Sequence, residues 1–167
     1  MLENVRDELN RFAKYVISQS RANLTRGKKN SSKELYNSLD SEVNVSKNSF
    51  SLSFLMADYG VFQDKGVSGV KKKYNTPYSY TTKMPPPSKM DKWIVKKGIA
   101  PRGKDGKFIS RKSLQFMIAR SIYNKGIKPS LFFTKPFEKA FKGLSKDLIQ
   151  AYKLDVEKLM ENSINNK

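Results

Sequence analysis

Between Lys65 and Lys112 the chain carries fourteen lysines and arginines against two acids, Asp91 and Asp105, a net +12 in under a third of its length. Ammonium groups are strongly penalised in a dry interior, so this stretch cannot be packed into a core. It must lie in water or against something acidic. The whole chain is basic as well, with 33 Lys+Arg, 15 Asp+Glu and a formal charge of +18, which implies a polyanionic neighbour or an acidic protein surface. A length of 167 residues suggests a single domain, 1–167, with room for a core. A hydrophobic share of 38% is low for a compact globule and leaves part of the chain outside that core.

The flanks of the basic segment carry the periodic patterns. Val5, Leu9, Phe12 and Val16 recur at steps of four, three and four, which predicts an amphipathic helix over residues 2–24. "TRGKKN" interrupts it, and Ser31 with Glu34 forms a capping box for a short helix carrying Leu35 and Leu39. Val43 and Val45, then Phe50, Leu52, Phe54 and Met56, alternate on either side of "SKNS" and predict a hairpin. Residues 67–87 lack periodicity, and 67–112 reads as a basic insertion loop, an extended arm. Within it Ser88 and Asp91 form a capping box for a helix through Trp93, Ile94 and Val95 that Gly98 closes. Ser110 caps a helix carrying Leu114, Met117, Ile118 and Ile122, which Gly126 ends. A last helix begins at Thr134 with a stripe of Phe137, Phe141, Leu144, Leu148 and Tyr152, extended by Val156 and Leu159. Residues 160–167 are a polar tail. The fold class is α+β: an N-terminal amphipathic helix, a small antiparallel sheet, a long basic loop and C-terminal helices.

"ADYGVFQDKG", residues 57–66, follows the hairpin and reads as a structural corner. Gly60 and Gly66 permit backbone geometry that other residues resist, while Tyr59 and Phe62 anchor it. Asp64 caps a turn or pairs with a lysine, and Asp58 solvates a strand end.

Little here points to catalysis. Cysteine and histidine are both absent, which removes disulfides, thiolate metal sites and the side chain that titrates near neutral pH. Asp58 and Asp64, or Glu42, loosely suggest a metal-dependent nuclease, but "EVNV" lacks the lysine that such a core wants. "GKDGK" is too short for a phosphate loop. No catalytic residue, metal or cofactor is expected. No apolar stretch approaches the ~20 residues of a membrane span, and "MLENVRDELNRFAKY" is not a secretory signal. A soluble intracellular or virion protein is the natural setting.

The basic middle has two readings. Lys71, Lys72 and Lys73, interleaved with Tyr74, Tyr78, Tyr80 and Trp93, suit a nucleic-acid-binding module in which lysines neutralise phosphates and aromatics stack on bases. The same residues suit a docking arm whose aromatics anchor a protein interface. Lysine outnumbers arginine in this segment, which favours the second.

"ARSIYNKGIKPSLFFTKPFEKAF", residues 119–141, resembles the C-terminal signature of the tail-completion, or head–tail joining, family of tailed bacteriophages. There a "GI-P--F" segment leads into a terminal helix beginning near "PF--AF", here Gly126, Ile127, Pro129, Phe132, Phe133, Pro136, Phe137 and Phe141. The corner matches an aromatic-Gly, aromatic, acid, Gly pattern at Tyr59, Gly60, Phe62, Asp64 and Gly66. "SSKELYNSLDSEV" resembles the helix and strand entry before it, so the similarity covers roughly residues 31–150. The long basic insertion departs from shorter members. The resemblance implies a non-enzymatic cyclic homo-oligomer, sixfold or twelvefold, at the neck or upper tail of the virion, assembled in the host cytoplasm. Its implied partners are itself, the portal-side connector and the tail tube, with phage DNA as a further contact.

Overall fold

The computed structural model describes residues 2–29, 32–46 and 49–165, with side chains to residue 161. The chain is α+β. In order it forms α1 (Glu3–Arg26), α2 (Glu34–Ser38), β1 (Asp40–Val45), β2 (Phe50–Leu55), α3 (Gly60–Lys65), β3 (Val67–Ser68), a 3-10 turn (Pro87–Met90), α4 (Asp91–Lys97), α5 (Arg111–Lys125), β4 (Gly126–Ile127) and α6 (Thr134–Asn165). Where length suggests one domain, these elements divide into two compact units. Met1–Ala57 with Phe132–Lys167 is the first, and Asp58–Leu131 is the second.

In the first unit α1 buries Val5, Leu9, Phe12 and Val16, the row its spacing predicts, together with Ala13, Ser20 and Leu24. These side chains meet α6 and the hairpin. Val5 and Leu9 pack with Ala151, Val43 and Leu52, while Phe12 and Val16 pack with Leu144, Phe54 and Phe137. Leu24, Leu35, Leu39 and Phe132 close the other end. Each fully buried side chain of this size contributes about 1.5–3 kcal/mol. The hairpin register sets Val43 opposite Leu52 and Val45 opposite Phe50. Ser46 N–H donates to the Ser49 carbonyl across the turn at 2.8 Å. Lys47 and Asn48 of the expected turn, and Ser31 of the expected capping box, lie outside the described residues.

The terminal helix corrects its expected stripe. Phe137 does meet Phe12 and Phe54 edge-on, at 5.7 and 6.0 Å, but Phe141 and Tyr152 are 53% and 54% exposed. The packed row instead runs Phe137, Ala140, Leu144, Leu148 and Ala151. A 3.6-residue period lets either Ala140 or Phe141 follow Phe137, and the small side chains at 140 and 151 let α1 come close. One turn beyond Ala151 the row ends in a buried carboxylate. Asp155 accepts from the backbone N–H of Asn4 and of Val5, both at 3.1 Å, and from Asn4 Nδ2 at 2.8 Å. Leu2, at the N-cap of α1, cannot satisfy those groups with its side chain. Burial raises the Asp155 pKa, but the three hydrogen bonds and the nearby Lys158 charge more than offset it and leave the carboxyl below its ordinary value.

The second unit is built on a small apolar set, Val67, Ile94, Leu114 and Ala119. β3 pairs antiparallel with β4, Val67 against Ile127 and Ser68 against Gly126. Ser68 also bridges Ser79 in parallel fashion, through Ser68 N–H to the Tyr78 carbonyl and Tyr80 N–H to the Ser68 carbonyl, each 2.8 Å. The basic segment is therefore not one extended arm: residues 69–86 are a loop folded onto its own unit, and the 3-10 turn, α4 and the start of α5 follow within it. Val70 N–H donates to the Tyr123 carbonyl, and Lys71 and Lys72 N–H donate to that of Asn124. These carbonyls end α5, where donors are missing and positive charge is favoured. The backbone of the lysine run docks on a helix terminus while its ammonium groups stay exposed.

Caps in this unit follow the sequence in part. Ser110 Oγ accepts from Ser113 N–H at 3.2 Å, and Gly98 ends α4 in the left-handed region with φ 60°. The Ser88–Asp91 box does not form, since Ser88 lies in the 3-10 turn and no side chain caps α4. Asp91 instead accepts from Gln115 Nε2 at 2.7 Å and ties α4 to α5.

Candidate functional site

The corner is a helix rather than a turn. Gly60 opens α3 with no positive φ, so the backbone freedom expected of it is not used. Gly66 does use it, at φ 76°, and a Cβ there would stand 2.6 Å from the Ile127 carbonyl oxygen and from Pro129 N. Tyr59 and Phe62 are 43% and 42% exposed, and Phe62 meets the Tyr78 ring edge-on at 4.7 Å. Asp64 is buried, and its backbone carbonyl accepts from Ser130 and Leu131 N–H at 3.0 and 2.9 Å. The corner and the first half of the C-terminal motif, some sixty residues apart, are thus joined through Asp64 and through β3–β4.

Each other motif residue also has a definite place. Gly126, at φ 72°, lies so close to the Val67 carbonyl that no Cβ fits. Ile127 is in β4, and Pro129 packs against Gly66. Phe132 is 1% exposed in the core of the first unit, and Phe133 stacks on Phe137 at 5.8 Å. Pro136 is buried in the first turn of α6, where a missing N–H costs nothing. Phe141 stacks on Phe137 at 5.5 Å and continues the aromatic row out to the surface.

The tyrosines proposed as docking anchors are already engaged within their own unit. Tyr78 contacts Phe62, Tyr80 lies 6.2 Å from Tyr123, and the Lys72 ammonium sits over the Tyr74 ring at 5.6 Å. All three are half-buried, and burial pushes the Tyr80 phenol above its usual pKa. They hold the loop down against its own unit. Trp93 is different, at 42% exposed on α4.

Asp58 is exposed, Asp64 is buried, and among the described residues no three of His, Cys, Asp and Glu gather as a metal site would require. An open cleft of about 870 Å³ lies along the first unit, lined by Lys14, Arg21, Tyr36 and Asp40 among others. Arg21 is committed there to structure: it donates to the Tyr36 and Leu39 carbonyls at 3.1 and 2.9 Å and lies over the Tyr36 ring.

Large apolar side chains are exposed on both units. In the second, Trp93 and Val95 on α4, Phe108, and Phe116 and Met117 on α5 are 42–63% exposed. In the first, Phe141, Ile149, Tyr152 and Met160 on α6 are 53–63% exposed. Beside this second set Lys135, Lys139, Lys142, Lys146 and Lys153 recur at steps of four, three, four and seven, all exposed. The stripe reading missed both this ladder and Asp155, although the lysine spacing is legible in the sequence. No family model, curated protein or solved structure matches the chain. Among the described residues no helix is long and apolar enough to cross a membrane.

Proposed function

We propose that this chain is a structural assembly subunit, and that it forms the oligomeric ring its motifs imply, joining the head connector to the tail at a phage neck or upper tail. The observation that carries the reading is the pair of exposed apolar sets, one on each unit, all but Phe108 on helices that also carry buried residues. Contiguous bulky apolar surface marks interaction sites. The set on the second unit, from Trp93 to Met117, is assigned to contacts between copies in the ring, and the set on α6 to contact with an adjoining layer. The hydrogen-bonded meeting of the corner with "GIKPSL" supports the resemblance, since both of its segments belong to one structural feature. The internal use of Tyr74, Tyr78 and Tyr80 weighs against the nucleic-acid reading.

Native mass spectrometry of the purified chain at physiological salt tests this. The expected outcome is a closed oligomer of one defined size, six or twelve by resemblance, which W93S/M117S shifts to monomer. A chain that stays monomeric at micromolar concentration while binding DNA with steep salt dependence would replace this reading with nucleic-acid binding.

A further inference from the structure

We propose that the exposed face of α6 is a docking seam for an acidic amphipathic helix of a neighbouring protein. The proposal rests on the reading of the chain as an assembly subunit and names the chemistry of one neighbour.

The seam has two parallel components. Phe141, Ile149, Tyr152 and Met160, with half-buried Val156 between them, recur at steps of eight, three, four and four and form an apolar row that exposed Ser145 interrupts once. It spans roughly 28 Å at ~1.5 Å per residue, which a partner helix of about twenty residues would match. On one flank runs the lysine ladder from Lys135 to Lys153. None of its ammonium groups has a carboxylate within ion-pair distance among the described residues, where the ion pairs are Glu8–Arg11 and Asp91–Arg111. Glu138 lies beside the ladder, and Glu157 and Glu161 follow it. On the other flank is the row that packs on α1. An apolar seam with a charged edge is how paired helices choose partner and register.

The ladder decides what fills the seam. Two copies of α6 packed antiparallel would set the same flank against itself, lysine on lysine. A parallel pair would push the ladder of one copy onto the flank where the other is already covered by α1. Head to tail, the ladder would meet the second unit, whose segment from Lys65 to Lys112 is itself net +12. A nucleic-acid backbone would satisfy the lysines but gives Ile149 and Met160 nothing apolar to meet. An anionic membrane would suit a helix with cations on both flanks of its apolar row, and here one flank belongs to the core. An acidic helix with its own apolar row satisfies both components at once.

The test uses the full chain and a labelled helical peptide of about twenty residues, with leucines at alternating three- and four-residue steps and glutamates on both flanks. Three comparison probes are a scrambled peptide of equal composition, a lysine-flanked version, and vesicles rich in phosphatidylserine. Anisotropy should show binding of the acidic amphipathic peptide. K142E/K146E/K153E and, separately, F141S/Y152S should each weaken it by about tenfold or more, and the charge-reversed chain should now take the lysine-flanked peptide. All five positions are exposed, and circular dichroism and melting confirm that the variants fold. Equal binding of the scrambled peptide, unchanged binding by both variants, or binding to vesicles without the peptide overturns the proposal. So does a change in oligomer mass on charge reversal, which would make the face a contact between copies. A monomeric parent that still binds the peptide sinks the ring and spares the seam; an oligomer that ignores the peptide does the reverse.

Discussion

Asp155 is a single carboxylate that does, from 150 residues away, the work of an N-cap. Its oxygens take the backbone N–H groups of Asn4 and Val5, the second and third helical positions of α1, where a local Ser or Asp cap would bond. The negative charge also meets the positive end of the helix dipole. Asp155→Ala strands a buried donor at Val5 and a half-buried one at Asn4, and is expected to cost about 2–3 kcal/mol, read as a shift of the urea midpoint. The pH dependence follows from the direction of the pKa shift. A carboxyl held below the ordinary 3.8 stabilises the fold fully above that value and loses its contribution as pH falls through the folded-state pKa. The gap between wild type and Asp155→Ala should therefore be widest near neutrality and close on acidification. A gap that widened in acid would mean that the group is not an ionised cap.

The elements show what a one-dimensional pattern can and cannot choose. α1 was legible because Val5, Leu9, Phe12 and Val16 leave only one apolar face. The hairpin was legible because valine and phenylalanine alternate cleanly with polar residues. α6 was legible as a helix but not in its rotation, because Phe141 and Tyr152 offer an apolar face beside the one that packs. Hydrophobicity alone prefers the larger side chains, whereas close approach of α1 prefers Ala140 and Ala151, and only the fold weighs one against the other. The corner failed differently: "DYGVFQDKG" has the glycines of a turn, yet Gly60 is helical and only Gly66 needs its freedom. This rotation separates two neighbouring phenylalanines. Phe137→Ala removes contacts with Phe12, Phe54 and Phe133 and should cost about 3 kcal/mol or more. Phe141→Ala removes a half-exposed ring and should cost under about 1 kcal/mol. Equal losses in a thermal melt would place Phe141 in the core and contradict the packed row.

At the scale of the whole molecule the basic middle is the part that sequence reasoning placed least well. Its charge argues against a place in a core, but charge constrains only the ammonium groups, and the backbone that carries them is free to pack. The loop's donors cap the C-terminus of α5, Ser68 pairs with Tyr78 and Tyr80, and two tyrosine rings lie on Phe62 and Tyr123. Deleting residues 71–83 would remove Tyr74, Tyr78 and Tyr80 and break several of these bonds at ~1 kcal/mol each, a large share of the ~5–15 kcal/mol that stabilises a domain. None of the three clusters of the first unit contains a residue between 58 and 131. The deletion should therefore abolish slow hydrogen exchange in α4 and α5 while α1 and α6 keep theirs, measured peptide by peptide by mass spectrometry. Protection retained in α5 would show that the loop only rests on the second unit; protection lost from α1 as well would show that the two units fold as one.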